Sequence, residues 1–212
     1  MPKIVDHQER RTLLVDATAR IILRSGISAV TVRAVSAEAG WSTGALRYYF
    51  PDQASLRDYA VASLAARLSR DVEARIRKPH ENTSPIGLVA SVLEELLPLD
   101  EQRREEYVLW EALVTWERET PEHLHSRMWE QQRSLYRWAA SALAPGPHPP
   151  DHPPLHDERL EIWVNFLHVF VDGLASQIIQ TPAQVSPDAA TQLLRGFLNE
   201  AAEALRANDH SG

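Results

Sequence analysis

One segment of the chain, residues 31–50 (TVRAVSAEAGWSTGALRYYF), combines hydroxyl, guanidinium and phenol groups at helical spacing. Backbone amides at the start of a helix, together with the hydroxyls of Ser42 and Thr43, are suited to binding a phosphate oxygen. Gly44 has no side chain, so a ligand can approach the backbone closely at this point. These three residues predict a phosphate-binding helix start.

Arg47, Tyr48 and Tyr49 follow on the same helix and add groups that can read bases. An arginine can donate two hydrogen bonds to O6 and N7 of guanine, or it can bind phosphate. A tyrosine can offer its hydroxyl to phosphate or its ring edge to a thymine methyl. Each residue by itself could equally be an ordinary exposed helix residue, and Tyr49 could pack inward. Taken together, these groups predict a face that contacts double-stranded DNA.

Two short helices joined by a tight turn are expected to position these groups. Thr31 is predicted to cap a helix over Val32–Ala39, and Ser42 to cap a second helix over Thr43–Tyr49. Gly40 lies between them and permits the left-handed backbone conformation that ends a helix. This order predicts a helix-turn-helix, whose second helix enters the major groove of DNA.

The rest of the chain shows helical periodicity and no convincing strand pattern, which predicts an all-α fold of about nine helices. Residues 145–155 are rich in proline and are expected to form a surface crossover. We place a helix-turn-helix DNA-binding domain at residues 1–53 and a helical effector-binding and dimerisation domain at residues 54–212. The further predicted helices are Gln8–Ser25, Ala54–Arg77, Pro85–Leu97, Arg103–Glu119, Glu122–Ala144, Asp157–Gln180 and Pro187–Ala207.

Charge is distributed unevenly along the chain. The net charge is -7, but residues 1–77 contain 12 basic and 8 acidic side chains and so carry +4. A basic amino-terminal third on an acidic remainder suits a protein that binds a polyanion in one orientation. The sequence has no cysteine, no signal peptide and no apolar run that could span a bilayer, so a cytoplasmic location without a membrane partner is expected.

Motifs typical of enzymes are missing from the sequence. It has no Gly-rich phosphate loop, no nucleophile elbow and no HExxH motif, so neither an enzyme nor a cofactor is predicted. His148, His152 and His156 are spaced as zinc ligands on a helix would be. The prolines between them exclude that helix, and no metal site is predicted. A helical interaction module that does not bind DNA is the alternative from another functional class.

The stretch Thr31–Leu56 resembles the DNA-binding signature of the TetR family of bacterial transcriptional regulators. In that signature a Thr-capped helix, an Ala-Gly turn, Ser-x-Gly, two aromatics with Phe and a downstream Leu recur in this order. Residues 1–11, the string ALRYYF and Val171–Pro182 (VDGLASQIIQTP) resemble the BetI-like branch more narrowly.

The resemblance to this family implies a homodimer, formed through the last two helices, that binds a pseudo-palindromic operator in the bacterial cytoplasm, at the nucleoid. A small-molecule effector would favour a conformer in which the helix over Ala54–Arg77 swings the DNA-binding domain and releases the operator. Repression is the commoner mode in the family, and activation is the alternative.

Two positions depart from the family pattern. Many members have a tyrosine in the recognition helix where this chain has Arg47, and a phosphate-binding lysine where it has Gln53. Loss of one phosphate contact lowers affinity and weakens its salt dependence, although Arg47 could restore the charge. The predicted DNA contacts are Thr31, Arg33, Ser42, Thr43, Gly44, Arg47, Tyr48, Tyr49 and Gln53.

Large aromatic residues recur at helical spacing in the second half of the chain, near the carboxylates of Glu111, Glu117 and Asp172. Aromatic faces beside carboxylates suit a cationic or flat aromatic effector, and plain core packing is the alternative for each ring. The resemblance favours residues on the helices that line the ligand cavity of similar proteins, and the branch name alone suggests a choline-like molecule. The predicted effector contacts are Trp110, Trp163, Phe166 and Phe170.

Overall fold

A computed structural model describes residues 7–77, 84–119, 125–145 and 158–209 of the chain. Within these ranges it contains nine α-helices and a short 3-10 turn over Ile27–Ala29, and no strand. The helices are α1 (His7–Ser25), α2 (Val32–Ala39), α3 (Thr43–Tyr49), α4 (Gln53–Ile76), α5 (Pro85–Glu94), α6 (Glu101–Glu119), α7 (His125–Leu143), α8 (Glu158–Gln180) and α9 (Pro187–Asp209). The prediction of an all-α fold is confirmed.

The two short helices, α2 and α3, have the bounds that the sequence predicts. The prediction for α5 was too long, because the helix ends at Glu94 and not at Leu97. The amides of Leu96 and Leu97 donate to the carbonyls three residues earlier, as in a tighter turn. Pro98 disfavours helical backbone at the residue before it, which explains the early end.

Two helices begin slightly earlier than predicted because an aspartate caps each of them. Asp52 Oδ1 accepts a hydrogen bond from the Ser55 amide at 2.8 Å, so α4 begins at Gln53. Asp100 Oδ1 accepts from the Arg103 amide, also at 2.8 Å, and α6 begins at Glu101. These bonds hold the pKa of both aspartates below its ordinary value. The three histidines of the excluded zinc site, and the proline-rich crossover after Pro145, lie outside the described residues.

The chain divides into two compact units. The first contains residues 1–71 and 108–125, and the second contains residues 72–107 and 126–212. Helices α4 and α6 therefore each contribute residues to both units. The first unit includes the helix-turn-helix together with parts of α4 and α6, whereas the boundary after residue 53 stays a prediction of where the DNA-binding domain ends.

The core of the first unit joins α1, α2, α3 and α4 through buried aliphatic side chains. The members with least exposure are Ala17, Ile21, Val30, Val35, Leu46, Leu56 and Leu64. Two ion-pair groups surround this core. Asp16 of α1 binds Arg67 of α4 at 2.6 Å, and Glu38 of α2 binds both Arg20 and Arg24 of α1. The recognition helix α3 is thus carried by a packed three-helix support.

The core of the second unit is built from α5, α7, α8 and α9. Among described helices, α8 alone is long and apolar enough to cross a membrane by length and composition. One row of α8, including Val164 and Leu167, is fully buried in this core. Glu161 on a polar row binds Arg133 and Arg137 of α7. Core packing and ion pairing thus account for two sides of α8, and a third, apolar side is exposed.

Candidate nucleic-acid interface

The turn between α2 and α3 has the geometry that its sequence demands. Thr31 Oγ1 accepts from the Ala34 amide at 3.1 Å and caps α2. Gly40 adopts φ 72 and ψ 26, in the left-handed region. The amides of Gly40 and Trp41 donate to the carbonyls of Ala37 and Ser36, the paired arrangement that closes many helices. The predicted caps and the glycine turn are therefore confirmed.

Helix α3 separates one buried anchor from an exposed polar face. Ser42 Oγ accepts from the Ala45 amide at 3.1 Å, which caps the helix. Leu46 is completely buried, whereas Thr43 and Arg47 are exposed and Tyr48 is 84% exposed. A side chain placed at Gly44 would meet nothing within 4 Å. A large molecule can therefore reach the start and the outer face of this helix without disturbing the core.

Tyr49 is more constrained than the residues before it. Its ring lies 6.2 Å from that of Trp41 and 5.3 Å edge-on from that of Tyr48. Trp41, in the turn, therefore packs near Tyr49, which in turn contacts Tyr48, a role that the sequence analysis did not assign to Trp41. The signal was present, since an aromatic residue directly before a helix cap often packs on that helix.

The remaining predicted DNA contacts lie near α3 in sequence and differ in exposure. Arg33 on α2 and Gln53 at the start of α4 are exposed. Thr31 is half-buried, and its hydroxyl oxygen already accepts the capping hydrogen bond. The Thr31 hydroxyl thus caps α2 as an acceptor, and it can still donate its proton to a phosphate oxygen.

Four arginines near the helix-turn-helix differ in whether an ion pair offsets their charge. Hydrogen bonds from Arg20 and Arg24 lower the pKa of Glu38, so this carboxylate is charged at neutral pH and offsets part of their charge. Neither Arg33 nor Arg47 has an ion-pair partner in the described part of the chain. Their guanidinium groups are available to phosphates or bases.

A second exposed surface, on α8 and α9, is apolar. We call Ile162, Phe166, Val169 and Leu193 the outer apolar face; their exposures range from 50% to 74%. The first three recur at the spacing of a single helical stripe. Gly173 and Gly196 lie one turn beyond Val169 and Leu193, and a side chain at either glycine would meet nothing within 4 Å.

One predicted effector contact, Phe166, belongs to this face, and Trp163 and Phe170 lie on the same helix. Phe170 of α8 stacks on Phe197 of α9 with centroids 4.1 Å apart, and Trp163 packs against Phe166 and Phe197. Trp110, on α6, is half-buried and belongs to the other compact unit. The sequence analysis did not identify Phe197, whose partner on α8 is distant in sequence.

A polar cluster between α7 and α8 was also missed. The Tyr136 ring is fully buried and stacks on His168 at 5.0 Å, and His168 Nε2 lies 3.2 Å from Asp172 Oδ2. Gln132 Nε2 donates to Asp172 Oδ1 at 3.3 Å, while its buried Oε1 has no donor among the described residues. Burial raises the pKa of Tyr136 above its ordinary range, so the phenol stays protonated.

Both the amino-terminal and the carboxyl-terminal parts of the chain match known families of transcriptional regulators. Residues 14–60 match the family described as bacterial regulatory proteins, tetR family, and residues 85–203 match the carboxyl-terminal region of BetI-type transcriptional repressors. The HTH-type transcriptional regulator PksA of Bacillus subtilis is 27% identical over 202 residues, which cover 92% of this chain and 90% of that protein.

Solved structures have the same fold. A transcriptional regulator from Rhodococcus sp. Rha1 has a TM-score of 0.69 at 23% identity, covering 92% of this chain and 96% of that one. A putative transcriptional regulator from Saccharomonospora viridis, solved in complex with choline, has a TM-score of 0.72 at 18% identity and covers 91% of this chain and 97% of its own.

Proposed function

Since this chain belongs to the TetR family of bacterial transcriptional regulators, we propose that it is a ligand-responsive repressor that binds a pseudo-palindromic operator as a homodimer. The chain is a helix-turn-helix regulator of the BetI-type branch and not an enzyme. Its proposed site of action is promoter DNA in the bacterial cytoplasm, where a bound dimer blocks transcription. Activation would require the same DNA surface, and the proposal of repression rests on the commoner mode of the family.

One observation carries the DNA-binding proposal. Thr43, Arg47 and Tyr48 are exposed together on α3, while Leu46 on the opposite side is completely buried. Hydroxyl, guanidinium and phenol groups on one helical face match the phosphates and base edges of a major groove. The rival interaction-module function would not require a basic, hydrogen-bonding face at this place.

The homodimer proposal depends on the outer apolar face. Phe166 and Val169 are 52% and 74% exposed in a single chain. Contiguous exposed apolar residues of this size commonly mark an interface. A second copy is the proposed occupant, because a twofold axis pairs the same apolar stripe with itself. Two protomers joined in this way present two recognition helices to successive major grooves.

For the effector we propose a small cation, bound in the second unit near Asp172. The supporting groups are the half-exposed Asp172 carboxylate, the buried Gln132 Oε1 acceptor and the partly exposed rings of Trp163 and Phe170 on the same helix as Asp172. Carboxylates and aromatic faces together favour quaternary ammonium groups. Trp163 and Phe170, in the same unit, stay proposed effector contacts, whereas the exposure of Phe166 favours a role in the homodimer. Trp110 belongs to the first unit and is not part of this proposed site.

The proposed cation can be tested with choline and its neutral isostere 3,3-dimethylbutan-1-ol. Choline is expected to raise the melting temperature of the protein, and Asp172→Asn is expected to remove most of that shift because it removes the charge that attracts the cation. Equal shifts from choline and the neutral alcohol would contradict a cation site.

The DNA-binding proposal is tested by selecting duplexes from a random pool with the full-length protein. The expected product is an inverted repeat, and its affinity should fall steeply with salt. Arg47→Ala combined with Tyr48→Ala should weaken binding by about 100-fold or more, since each good base contact contributes about 1–3 kcal/mol.

Arg70→Ala is the matched control for this test, because Arg70 is an exposed arginine on α4 outside the helix-turn-helix. We expect it to bind the selected duplex within about twofold of the unmodified protein. Unchanged binding by the double variant would exclude α3 as the DNA-reading element. Failure to enrich any duplex would favour the interaction-module alternative.

A further inference from the structure

Arg57, on α4, contacts two other segments of the first unit at once. Its Nε donates to the Val30 carbonyl at 2.8 Å, and one terminal nitrogen donates to the Ser28 carbonyl at 2.7 Å. Its guanidinium lies over the ring of Trp116 on α6, 5.1 Å from the ring centroid. A single side chain thus joins α4, the segment before α2, and α6.

The two carbonyls that Arg57 binds belong to the segment that positions the helix-turn-helix. Val30 is buried and directly precedes Thr31, the residue that caps α2. The Val30 amide donates to the Ile27 carbonyl in the 3-10 turn. Arg57 therefore holds the peptide from which α2 starts, and a displacement of its guanidinium changes the support of α2 and α3.

Two arginines of α4, Arg57 and Arg67, bind other segments of this unit through different kinds of contact. Arg67 binds the carboxylate of Asp16 on α1 at 2.6 Å. Arg57 has no ion-pair partner in the described residues, and its guanidinium is fixed by neutral carbonyls and an aromatic face. Hydrogen bonds and cation-π contacts of this kind each contribute modestly, so a shift of Trp116 can alter the arrangement without unfolding it.

We infer that Arg57 is a positioning residue through which Trp116 of α6 controls the orientation of the helix-turn-helix. This inference rests on the proposed function and specifies how the DNA surface is regulated. Helix α6 contributes residues to both compact units, so a change in the second unit can reach Trp116 along one continuous helix. The ion pair between Arg67 and Asp16 of α1 does not involve α6. A shift of Trp116 should therefore affect α2 and α3 and leave α1 unchanged.

Amide hydrogen exchange of the full-length protein tests the inference without requiring DNA. Trp116→Leu and Arg57→Lys should each accelerate exchange in residues 26–36 by about three- to tenfold, because each removes part of the support of this segment. Residues 17–22 of α1 should keep their protection. Trp116→Phe, which retains an aromatic face, should stay within about twofold of the unmodified protein.

The duplex obtained in the selection above provides the functional readout. Trp116→Leu should weaken binding to it by about three- to tenfold, and Trp116→Phe should restore most of that loss. Arg70→Lys is the control for Arg57→Lys, because Arg70 is an exposed arginine on α4, the helix that carries Arg57. The inference would be overturned if Trp116→Leu left exchange in residues 26–36 unchanged, or if it accelerated exchange uniformly across α1 and α2. Faster exchange in residues 26–36 with unaltered DNA affinity would also overturn it. Failure to select a duplex would contradict the proposed function, while the exchange data would still decide whether Trp116 acts through Arg57.

Discussion

Helix α3 and the outer apolar face are both exposed, but they expose opposite chemistry. Around α3 the exposed groups are hydroxyls, a guanidinium and phenols, and the single apolar anchor, Leu46, is buried. On the outer apolar face of α8 the exposed groups are the side chains of Ile162, Phe166 and Val169. Water solvates the first surface well and the second poorly. The difference indicates two partners, a hydrated polyanion for α3 and another apolar surface for α8.

The glycines of the two regions differ in the same way. Gly40 is required by its own backbone, because its φ of 72 is unfavourable for other residues. Gly173 and Gly196 lie within helices, where glycine costs about 1 kcal/mol relative to alanine. No neighbour within the described chain occupies the space of their missing side chains. A second copy that approaches the helix backbone closely would explain both residues.

The largest expected effect is on self-association. Val169→Glu places two like charges at a twofold contact and should weaken the homodimer by about 100-fold or more. Sedimentation velocity over a range of concentrations measures the shift to protomer. Ala66→Glu introduces the same charge at an exposed position of α4 and should leave the dimer intact. An unaffected dimer in the Val169 variant would remove the outer apolar face from the interface.

The next largest effect should come from replacing Gly40 or Gly196 by alanine, which should change protomer stability in the first case and dimer stability in the second. Gly40→Ala should lower the free energy of unfolding by about 1–2 kcal/mol at any protein concentration, since alanine resists the left-handed conformation. Gly196→Ala should leave the protomer equally stable or slightly more stable, but should weaken the dimer. Chemical denaturation at two protein concentrations separates the two cases. A stability loss that is independent of concentration in the Gly196 variant would contradict a close contact there.

Restoring a cation at Gln53 should strengthen DNA binding modestly. Gln53→Lys adds one phosphate contact per protomer, so the slope of log affinity against log salt should become steeper by about one per protomer. Binding titrations from low to moderate salt measure this slope. Gln102→Lys, at an exposed position of α6 outside both proposed interfaces, should not change it. Identical slopes for the two variants would place residue 53 away from the phosphates.

The smallest expected effect concerns acid stability. Hydrogen bonds from Arg137, and then Arg133, lower the pKa of Glu161 below its unfolded value. Its contribution is therefore complete above the unfolded pKa and is lost as pH falls through the lowered folded pKa. Glu161→Gln should cost at most about 1 kcal/mol at pH 7 and should flatten the fall in stability between about pH 5 and 3.

Unfolding free energies at several pH values measure the effect of Glu161→Gln. Glu38→Gln is the counterpart in the first unit, because arginines also lower the pKa of Glu38. It should likewise flatten the acid response, without touching the α7–α8 contact. A steeper fall in unfolding free energy with falling pH in either variant would contradict a stabilising role of these ion pairs.

Much of the fold followed from local patterns. The bounds of α2 and α3 were correct because Thr31, Gly40 and Ser42 act within three residues of their own position. The end of α5 was missed because the effect of Pro98 on the residue before it was not weighed against the apolar run. Which aromatic rings bind an effector was not predictable from helical spacing, since spacing alone does not distinguish a core ring from an exposed one.

The all-α fold and the geometry of the helix-turn-helix follow from the sequence without knowledge of tertiary contacts, because capping and turn energetics depend on neighbouring residues. Tertiary structure alone decided that Arg57 binds carbonyls 27 and 29 residues away and that Phe197 stacks on Phe170. It also decided which side of α8 stays exposed. Such contacts depend on how whole helices pack, and the periodicity of any one helix does not specify its neighbours.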